Sequence, residues 1–477
     1  MSRGRGGRRR AAVCAGALVA AASLLASGCG GTDPARGPGP GARAQRVVLF
    51  TVDTLRADRL SCYGGPVATP VLDAFAAESV VFEAAYSQAT HTHAALSSAL
   101  TGLYPPRNGV LSQSGQLARG VYPVPLLLQA RGIATGSFVA NMCRLQTHER
   151  TVFRDGWDEV FCGEDEETDH YVWDEAVVGA ALEWLGRQEG PALAWVHLMD
   201  PHADRVPSPA VWDYGREPVP TVEEQLEVFW TWEQESRFPP PEVLEQIEAL
   251  YAAEIAGVDR QFGRLLAALE ERGAEDVAVV FTSDHGEELY ETWTKYAHGL
   301  SPTEGVLRVP LLLRVPGERP ARRDELVELL QLGPTLLELF DVPAPYELDG
   351  ASLLAPERRR NYAVSFCGRL ATIRHGDRRL WTRSPRLSDP PDYAHFLKKR
   401  QLLANRWSQS ELCVASYSAE EPSRPRWMDL EDSETRMRAE QLRRTLLGLI
   451  EEFGELPAPE DLDDPEFLED LRRLGYL

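Results

Sequence analysis

Three strand-length runs in this chain are apolar from end to end, and each runs straight into an acid. Residues 47–52 lead into Asp53-Thr54-Leu55-Arg56, residues 193–198 into Met199-Asp200-Pro201-His202, and residues 277–282 into Ser283-Asp284-His285-Gly286. A strand with one wet face alternates apolar and polar residues, so an unbroken apolar run is buried on both faces. Two more such runs cover 133–139 and 310–315, and helical patterns lie between at 70–78, 171–187, 223–272 (broken around Phe238-Pro239-Pro240-Pro241) and 325–340. Strands and helices in this order predict an α/β fold: a large, mostly parallel mixed sheet sandwiched by helices. Ligands of such sheets gather at the carboxyl ends of the strands, which is where the three acids fall. A single Asp after a strand is ordinary turn or cap chemistry. Three of them, two with a histidine beside them, suit a divalent cation, with carboxylate for a hard ion and imidazole for a softer one such as zinc or manganese.

Charge narrows the partners. The chain has 477 residues and a formal charge of −22. Five of its 50 basic residues fall in residues 1–28, which hold no acid, leaving 45 bases against 72 acids and a net −27 for the remainder. So acidic a body repels nucleic acid and anionic membrane surfaces, and an anionic substrate needs cations built into its own site.

The first 28 residues are expected to be an export signal. Arg3 to Arg10 is positive, residues 11–26 are apolar, and Ala26-Ser27-Gly28 are small residues suited to cleavage. No later stretch approaches the roughly 20 apolar residues of a membrane span. Leu24-Leu25-Ala26-Ser27-Gly28-Cys29 resembles a bacterial lipobox, in which Cys29 is lipidated; plain secretion is the alternative. Residues 29–45, rich in Gly, Pro and Arg, form a flexible tether. The expected location is extracytoplasmic, as a membrane-anchored lipoprotein or a periplasmic or secreted protein. The cysteines past Cys29, namely Cys62, Cys143, Cys162, Cys367 and Cys413, are scattered without a CxxC spacing, which argues against a zinc-finger or disulfide scaffold. Cys143 and Cys162 are the nearest candidates for a bridge, with buried free thiols the other reading. The main domain is expected over 46–355. Short apolar segments at 362–366, 370–374 and 380–382 predict a C-terminal antiparallel subdomain over 356–477, ending in a charged helical tail at 464–477.

A family resemblance rests on the order of several motifs. Val48-Leu49-Phe50-Thr51-Val52-Asp53-Thr54-Leu55-Arg56-Ala57-Asp58, then Ser61-Cys62-Tyr63-Gly64, Thr69-Pro70-Val71-Leu72-Asp73, and His91-Thr92-His93 through Leu100-Thr101-Gly102-Leu103-Tyr104-Pro105 come first. Asp200-Pro201-His202, Ser283-Asp284-His285-Gly286-Glu287, His298-Gly299, Leu307-Arg308-Val309-Pro310 and the closing Leu471-Arg472-Arg473-Leu474-Gly475-Tyr476-Leu477 follow. From residue 46 onward the chain resembles the sulfatase family of the alkaline phosphatase-like superfamily. The resemblance implies that family's fold, with a large mixed sheet and a smaller C-terminal antiparallel sheet. It implies Asp53, Asp284 and His285 as metal ligands, with Thr54 where many sulfatases carry a second Asp. The implied cofactor is one divalent cation (Ca2+, Mn2+ or Zn2+), with a second position open.

The nucleophile position departs from the family pattern. Sulfatases place Cys-x-Pro-Ser-Arg, or a Ser-led version, before Leu-Thr-Gly and oxidise its first residue to formylglycine. Here Thr92 holds that place and Ala94, Ala95 and Leu96 replace Pro, Ser and Arg. Threonine cannot become formylglycine, but relatives acting on phosphate diesters, phosphonates and phosphoethanolamine groups use it directly. Thr92 precedes a helical stretch, 93–100, closed by Gly102, so its hydroxyl sits where a helix N-terminus favours an alkoxide. A bare N-cap is the bland alternative. Asp200, His202 and His298 either hold a second ion or contact the substrate and leaving group, and Lys295 and Arg56 are candidates for the substrate's oxyanions. The expected partner is a small anionic ester, a sulfated glycan or a phospholipid headgroup among them, with the membrane reached only through the lipid anchor. Two functions remain open: a hydrolase or transferase of sulfate, phosphate or phosphonate esters, and a catalytically degenerate lipoprotein that binds an anionic glycan or a protein partner.

Overall fold

The computed structural model describes residues 43–113, 115–140, 150–162, 164–165, 170–171, 174–202, 239–273, 276–291, 296–299, 302–355, 361–367, 370–383, 412–417 and 426–453. Its main sheet has nine strands. Eight run across it in the order Arg308–Val309, Val80–Tyr86, Leu311–Arg314, Val277–Ser283, Arg46–Val52, Ala192–Leu198, Ala134–Val139 and Glu159–Cys162. The ninth, Ala321–Glu328, pairs parallel to Val80–Tyr86, and Arg308–Val309 and Leu311–Arg314 pair antiparallel to their neighbours.

The unbroken apolar runs do what their pattern requires. Along Arg46–Val52, Val47 and Leu49 enter one core and Val48, Phe50 and Val52 the other. Ala192–Leu198 and Val277–Ser283 divide in the same alternating way. Helices Thr92–Thr101, Val124–Ala130 and Leu332–Leu339 cover the first face, and Pro70–Ala77, Asp174–Arg187 and Pro241–Glu271 the second. Burial on both faces leaves polar side chains little room except at the strand ends.

Sequence and structure differ in the stretch expected as one helix over 325–340. Residues 321–328 form a strand, and helix begins only at Leu329 as one 3-10 turn leading into Leu332–Leu339. The Glu328 side chain and Gln331 form a capping box that marks the switch. Its partner Val80–Tyr86 was not singled out in the sequence, because Glu83-Ala84-Ala85 interrupts its apolar pattern. The long helix starts at Pro241, after the Pro-rich break, and residues 223–238 lie outside the described ones.

The C-terminal strands Tyr362–Cys367, Leu370–His375, Arg378–Arg383, Leu412–Ser416 and Arg426–Trp427 form an antiparallel sheet in sequence order. Helix Ser433–Glu452 packs on it through Leu446 and Ile450, against Val364, Ile373 and Leu380. Cys162 is disulfide-bonded, Cys62, Cys367 and Cys413 are free, and Cys143 and Cys29 lie outside the described residues, as does the tail at 464–477.

Candidate metal centre and active site

Register builds the centre. Arg46–Val52 lies between Ala192–Leu198 and Val277–Ser283, with Val52 level with both Leu198 and Ser283. Asp53, one residue on, therefore meets Asp284, and the Asp53 N–H is held by the Leu198 carbonyl at 2.8 Å. Thr54 turns the chain in the left-handed region, φ 55°. That is an uncommon conformation for a β-branched residue, and such strain collects at functional sites. The Thr54 N–H donates to Asp284 Oδ1 at 3.3 Å, and its carbonyl accepts from Tyr251 Oη at 2.7 Å. Asp284 Oδ1 also takes the His285 N–H at 2.7 Å, which leaves Oδ2 turned to the centre.

Four fully buried side chains converge there. His285 Nε2 lies 3.7 Å from Asp53 Oδ1 and 3.3 Å from Asp284 Oδ2. His197 Nε2 stands 3.8 Å from Asp53 Oδ2, and one ligand atom each from Asp53, His197 and Asp284 falls within 4.8 Å of the others. Asp53 Oδ1, Asp284 Oδ2, His197 Nε2 and Thr54 Oγ1 are buried without a hydrogen-bond partner. Carboxylate and imidazole atoms left bare in this way are costly unless a cation meets them, so the residues present fit a divalent metal ion.

The electrostatics agree with that fit. Burial pushes the Asp53 carboxyl up, but the nearby imidazoles of His197, His202 and His285 outweigh burial and hold it well below the usual range. Burial and the facing Asp53 push Asp284 well above it. Without a cation the two acids share their site with one proton between them, as like charges at close range must. Burial pushes His285 well below its usual range, so its ring is neutral. Its Nδ1 lies 3.0 Å from the Gly286 carbonyl, which can only accept, so Nδ1 carries the hydrogen and Nε2 presents a lone pair.

Thr92 closes the cluster from the helix that covers the first face of the sheet. It is the first residue of helix Thr92–Thr101, after His91 in extended conformation, and Gly102 ends the helix at φ 71°. Thr92 Oγ1 donates to Asp53 Oδ2 at 3.2 Å and lies 3.3 Å from His285 Nε2.

The remaining expected residues separate into two groups. His202 and His298 sit beside the centre: their rings are 4.9 Å apart, and His298 is 4.6 Å from His285. Asp200 lies on the same turn, whose backbone is held by the buried Asp174 carboxylate through the Met199 and Asp200 N–H groups. Lys295 lies outside the described residues. Arg56 is a correction to the expectation of a substrate contact. Its side chain is 1% exposed and is taken up by Asp58, Glu291 and the Glu287 carbonyl. The guanidinium of Arg56 holds the loop after Asp284 from behind and offers no free charge to a substrate.

His197 was missed in the sequence. It sits inside a strand, so the search for polar residues after strand ends passed over it, yet a titratable residue in an otherwise apolar run was a usable signal. Thr51 Oγ1 meets its Nδ1 at 2.8 Å and accepts from Trp195 Nε1 at 2.8 Å, which fixes the ring. A cavity of about 1010 Å3 is lined by Arg59, Tyr86, Glu304, Arg308 and Arg374, and none of Asp53, Thr92, Asp284 or His285 lines it. Cavity size therefore does not locate the chemistry.

Comparison with known proteins agrees with this geometry. The chain is 24% identical over 363 residues to the uncharacterized sulfatase YidJ of Escherichia coli (strain K12), covering 67% of this chain and 72% of that one. It is 34% identical over 113 residues to arylsulfatase K of Bos taurus, a match spanning 23% of this chain and 21% of that protein. Among solved structures it is similar to the phosphonate monoester hydrolase of Agrobacterium radiobacter, with a TM-score of 0.66 at 20% identity over 86% of this chain and 96% of that one. It is also similar to a protein solved with its substrate D-glucosamine-2-N,6-O-disulfate, with a TM-score of 0.65 at 16% identity over 86% and 98% of the two chains. A sulfatase family model matches residues 45–342, more than half of the sequence. The chain belongs to the sulfatase family and has its alkaline phosphatase-like fold.

Proposed function

We propose that this chain hydrolyses a small anionic ester of a sulfate, phosphate or phosphonate group, with Thr92 as the nucleophile and a divalent cation held by Asp53, Asp284, His285 and His197. The observation that carries this reading is the place of Thr92 Oγ1, within hydrogen-bond reach of both Asp53 Oδ2 and His285 Nε2. The hydroxyl already points its hydrogen at a carboxylate, and a neutral imidazole lone pair faces the same oxygen. With the His285 lone pair given to the cation, Asp53 Oδ2 is the acceptor of its proton, and the N-terminus of helix Thr92–Thr101 favours the anion left behind. A bound divalent cation would supply positive charge for the transferring group. His202 and His298 are the groups placed to meet the leaving oxygen. The imidazole ligands favour zinc or manganese over calcium, and Asp200, His202 and His298 are the residues that would meet a second ion.

The phosphonate ester hydrolase and the protein solved with a disulfated glucosamine support an anionic ester as the substrate class. A sulfated glycan and a phospholipid headgroup both belong to it. The protein acts outside the cytoplasm, held to a membrane through lipidated Cys29 and a tether over 29–45, with the catalytic domain over 46–355 and a C-terminal subdomain over 356–477. A second reading, a binding protein that has lost catalysis, is favoured by Ala94, Ala95 and Leu96 where active sulfatases carry Pro, Ser and Arg. Metal analysis of purified protein, with a panel of aryl sulfates, phosphate mono- and diesters and phosphonates, separates the two. Stoichiometric metal with turnover of one ester class supports the enzyme; bound metal without turnover of any supports the binder.

A further inference from the structure

Glu287 brings a carboxylate that the proposed reaction leaves unused. Its side chain is fully buried. Among the described residues no Lys or Arg side chain pairs with it. Its carboxylate hydrogen-bonds His298 Nδ1 alone, at 3.0 Å from Oε2 and 3.2 Å from Oε1. A carboxylate left without a partner at that depth is costly, so the hydrogen bond constrains both residues.

The backbone around the pair is pinned. Arg56 Nη1 donates to the Glu287 carbonyl at 3.0 Å, and Gly299, next to His298, donates its N–H to the Thr90 carbonyl at 2.7 Å. Gly286 packs so tightly that a Cβ there would stand 2.1 Å from the Gly305 carbonyl oxygen. The loop carrying Glu287 has one place to sit, and the buried Arg56 is part of what holds it. A carboxylate accepts, so Nδ1 of His298 carries a hydrogen and Nε2 is the nitrogen left to face the centre. The ring so oriented lies edge-on to His202 and tilted against His285.

We propose that Glu287 is a positioning residue: it fixes the orientation and tautomer of His298, so that Nε2 is the atom offered to the reacting group. This rests on the proposed hydrolysis for its consequence, but its structural core is independent of any substrate. Carboxylates placed behind a functional imidazole act in this way in metal sites, and losing one costs about 10–100-fold in activity.

The test is a double-mutant cycle with a spectroscopic arm. Glu287→Leu removes the acceptor and should lower kcat about 10–100-fold with little change in KM. Glu287→Gln keeps an amide oxygen for Nδ1 and should lose less. In a His298→Ala background neither substitution should cause a further loss. Independent, multiplying losses, or full kcat in Glu287→Leu, overturn the proposal. Nitrogen-15 histidine NMR, with the His298 signal assigned by its disappearance in His298→Ala, should show Nδ1–H in the wild type and its loss in Glu287→Leu. An unchanged tautomer overturns the proposal even if no substrate is ever found. A changed tautomer without turnover of any ester keeps Glu287 in place and counts against the hydrolase reading instead. Should Glu287→Leu fail to fold, Glu287→Gln carries the cycle, and additive losses there overturn the proposal equally.

Discussion

Replacing Asp284 with Asn should stabilise the metal-free protein and destabilise the metal-loaded one. The substitution keeps an oxygen in place of Oδ1, which accepts the Thr54 and His285 N–H groups, and removes the charge facing Asp53. The ligand atoms of Asp53 and Asp284 fall within 4.8 Å of each other, where two full charges at an effective dielectric of ~20 repel by about 3.5 kcal/mol. Closer approach would raise that figure, and Asp284 escapes the repulsion by keeping a proton. The sign with pH follows. Its folded pKa is raised above the ordinary 3.8, so the folded state holds a proton that the unfolded chain has released. Stability is then full below that ordinary value and is lost as pH rises through the raised one. Asp53 is shifted the other way, and its contribution fades only as pH falls below its ordinary range. Relative to Asp284→Asn, chelator-treated wild type should lose stability as pH rises from 5 to 8, because the neutral, buried His285 is common to both, and at pH 8 the variant should be the more stable. Adding Zn2+ or Mn2+ at 100 times its Kd should raise the wild type by about 2.7 kcal/mol and the variant by much less, reversing the order. Chemical denaturation midpoints at pH 5 and pH 8, with and without metal, measure all of this. A metal-free variant less stable than wild type at pH 8, or equal gains on adding metal, would refute the reasoning.

Three further substitutions address other parts of the structure. Arg56→Lys should destabilise by about 3 kcal/mol or less, since Asp58 and Glu291 keep some solvent, and should leave KM unchanged in denaturation and kinetic assays; a KM effect with stability intact would restore Arg56 to the substrate. The Asp259 carboxylate on helix Pro241–Glu271 accepts the Val71 and Leu72 N–H groups at the start of helix Pro70–Ala77, so Asp259→Ala should cost about 1–2 kcal/mol in urea unfolding and leave activity per folded molecule unchanged. A fatty-acid analogue should label the wild type in cells and not Cys29→Ser, and equal labelling of both would remove the lipid anchor.

How much of this was legible in the sequence depends on where each residue lies in the sheet. The parallel core was legible because residues 47–52, 193–198 and 277–282 are apolar throughout, a pattern only burial on both faces permits. Asp53 and Asp284 stood out because they follow those runs, and register then brings them together. His197 was hidden by lying inside its strand, where the pattern marks core rather than chemistry. Arg56 was misjudged because sequence proximity to Asp53 says nothing of direction: the turn at Thr54 sends its side chain behind the loop to Asp58 and Glu291. The pairing of Val80–Tyr86 with Ala321–Glu328 joins segments more than two hundred residues apart, and local periodicity does not encode such a contact. Glu287 was visible as part of a motif, but its partner His298 lies eleven residues on, and nothing local couples the two.

The central claim is that Thr92 attacks the ester while Asp53, Asp284 and His285 hold the cation. Its most direct test is mass spectrometry of metal-loaded enzyme quenched with acid during turnover of whichever ester class it accepts. The Thr92 oxygen forms a bond to phosphorus or sulfur as the bond to the leaving oxygen breaks, the leaving group departs with a proton, and water later cleaves the threonine ester. The peptide holding Thr92 should therefore gain the mass of the transferred group: sulfuryl, phosphoryl, or a phosphonyl or phosphoryl group that keeps the substrate's other substituent. The adduct should be absent from Thr92→Ala, which should lose roughly 1000-fold or more in kcat while giving up only ~0.5–2 kcal/mol of stability. Steady turnover with an adduct on another residue, or with Thr92→Ala as active as the wild type, would contradict the claim and leave Thr92 as a helix cap.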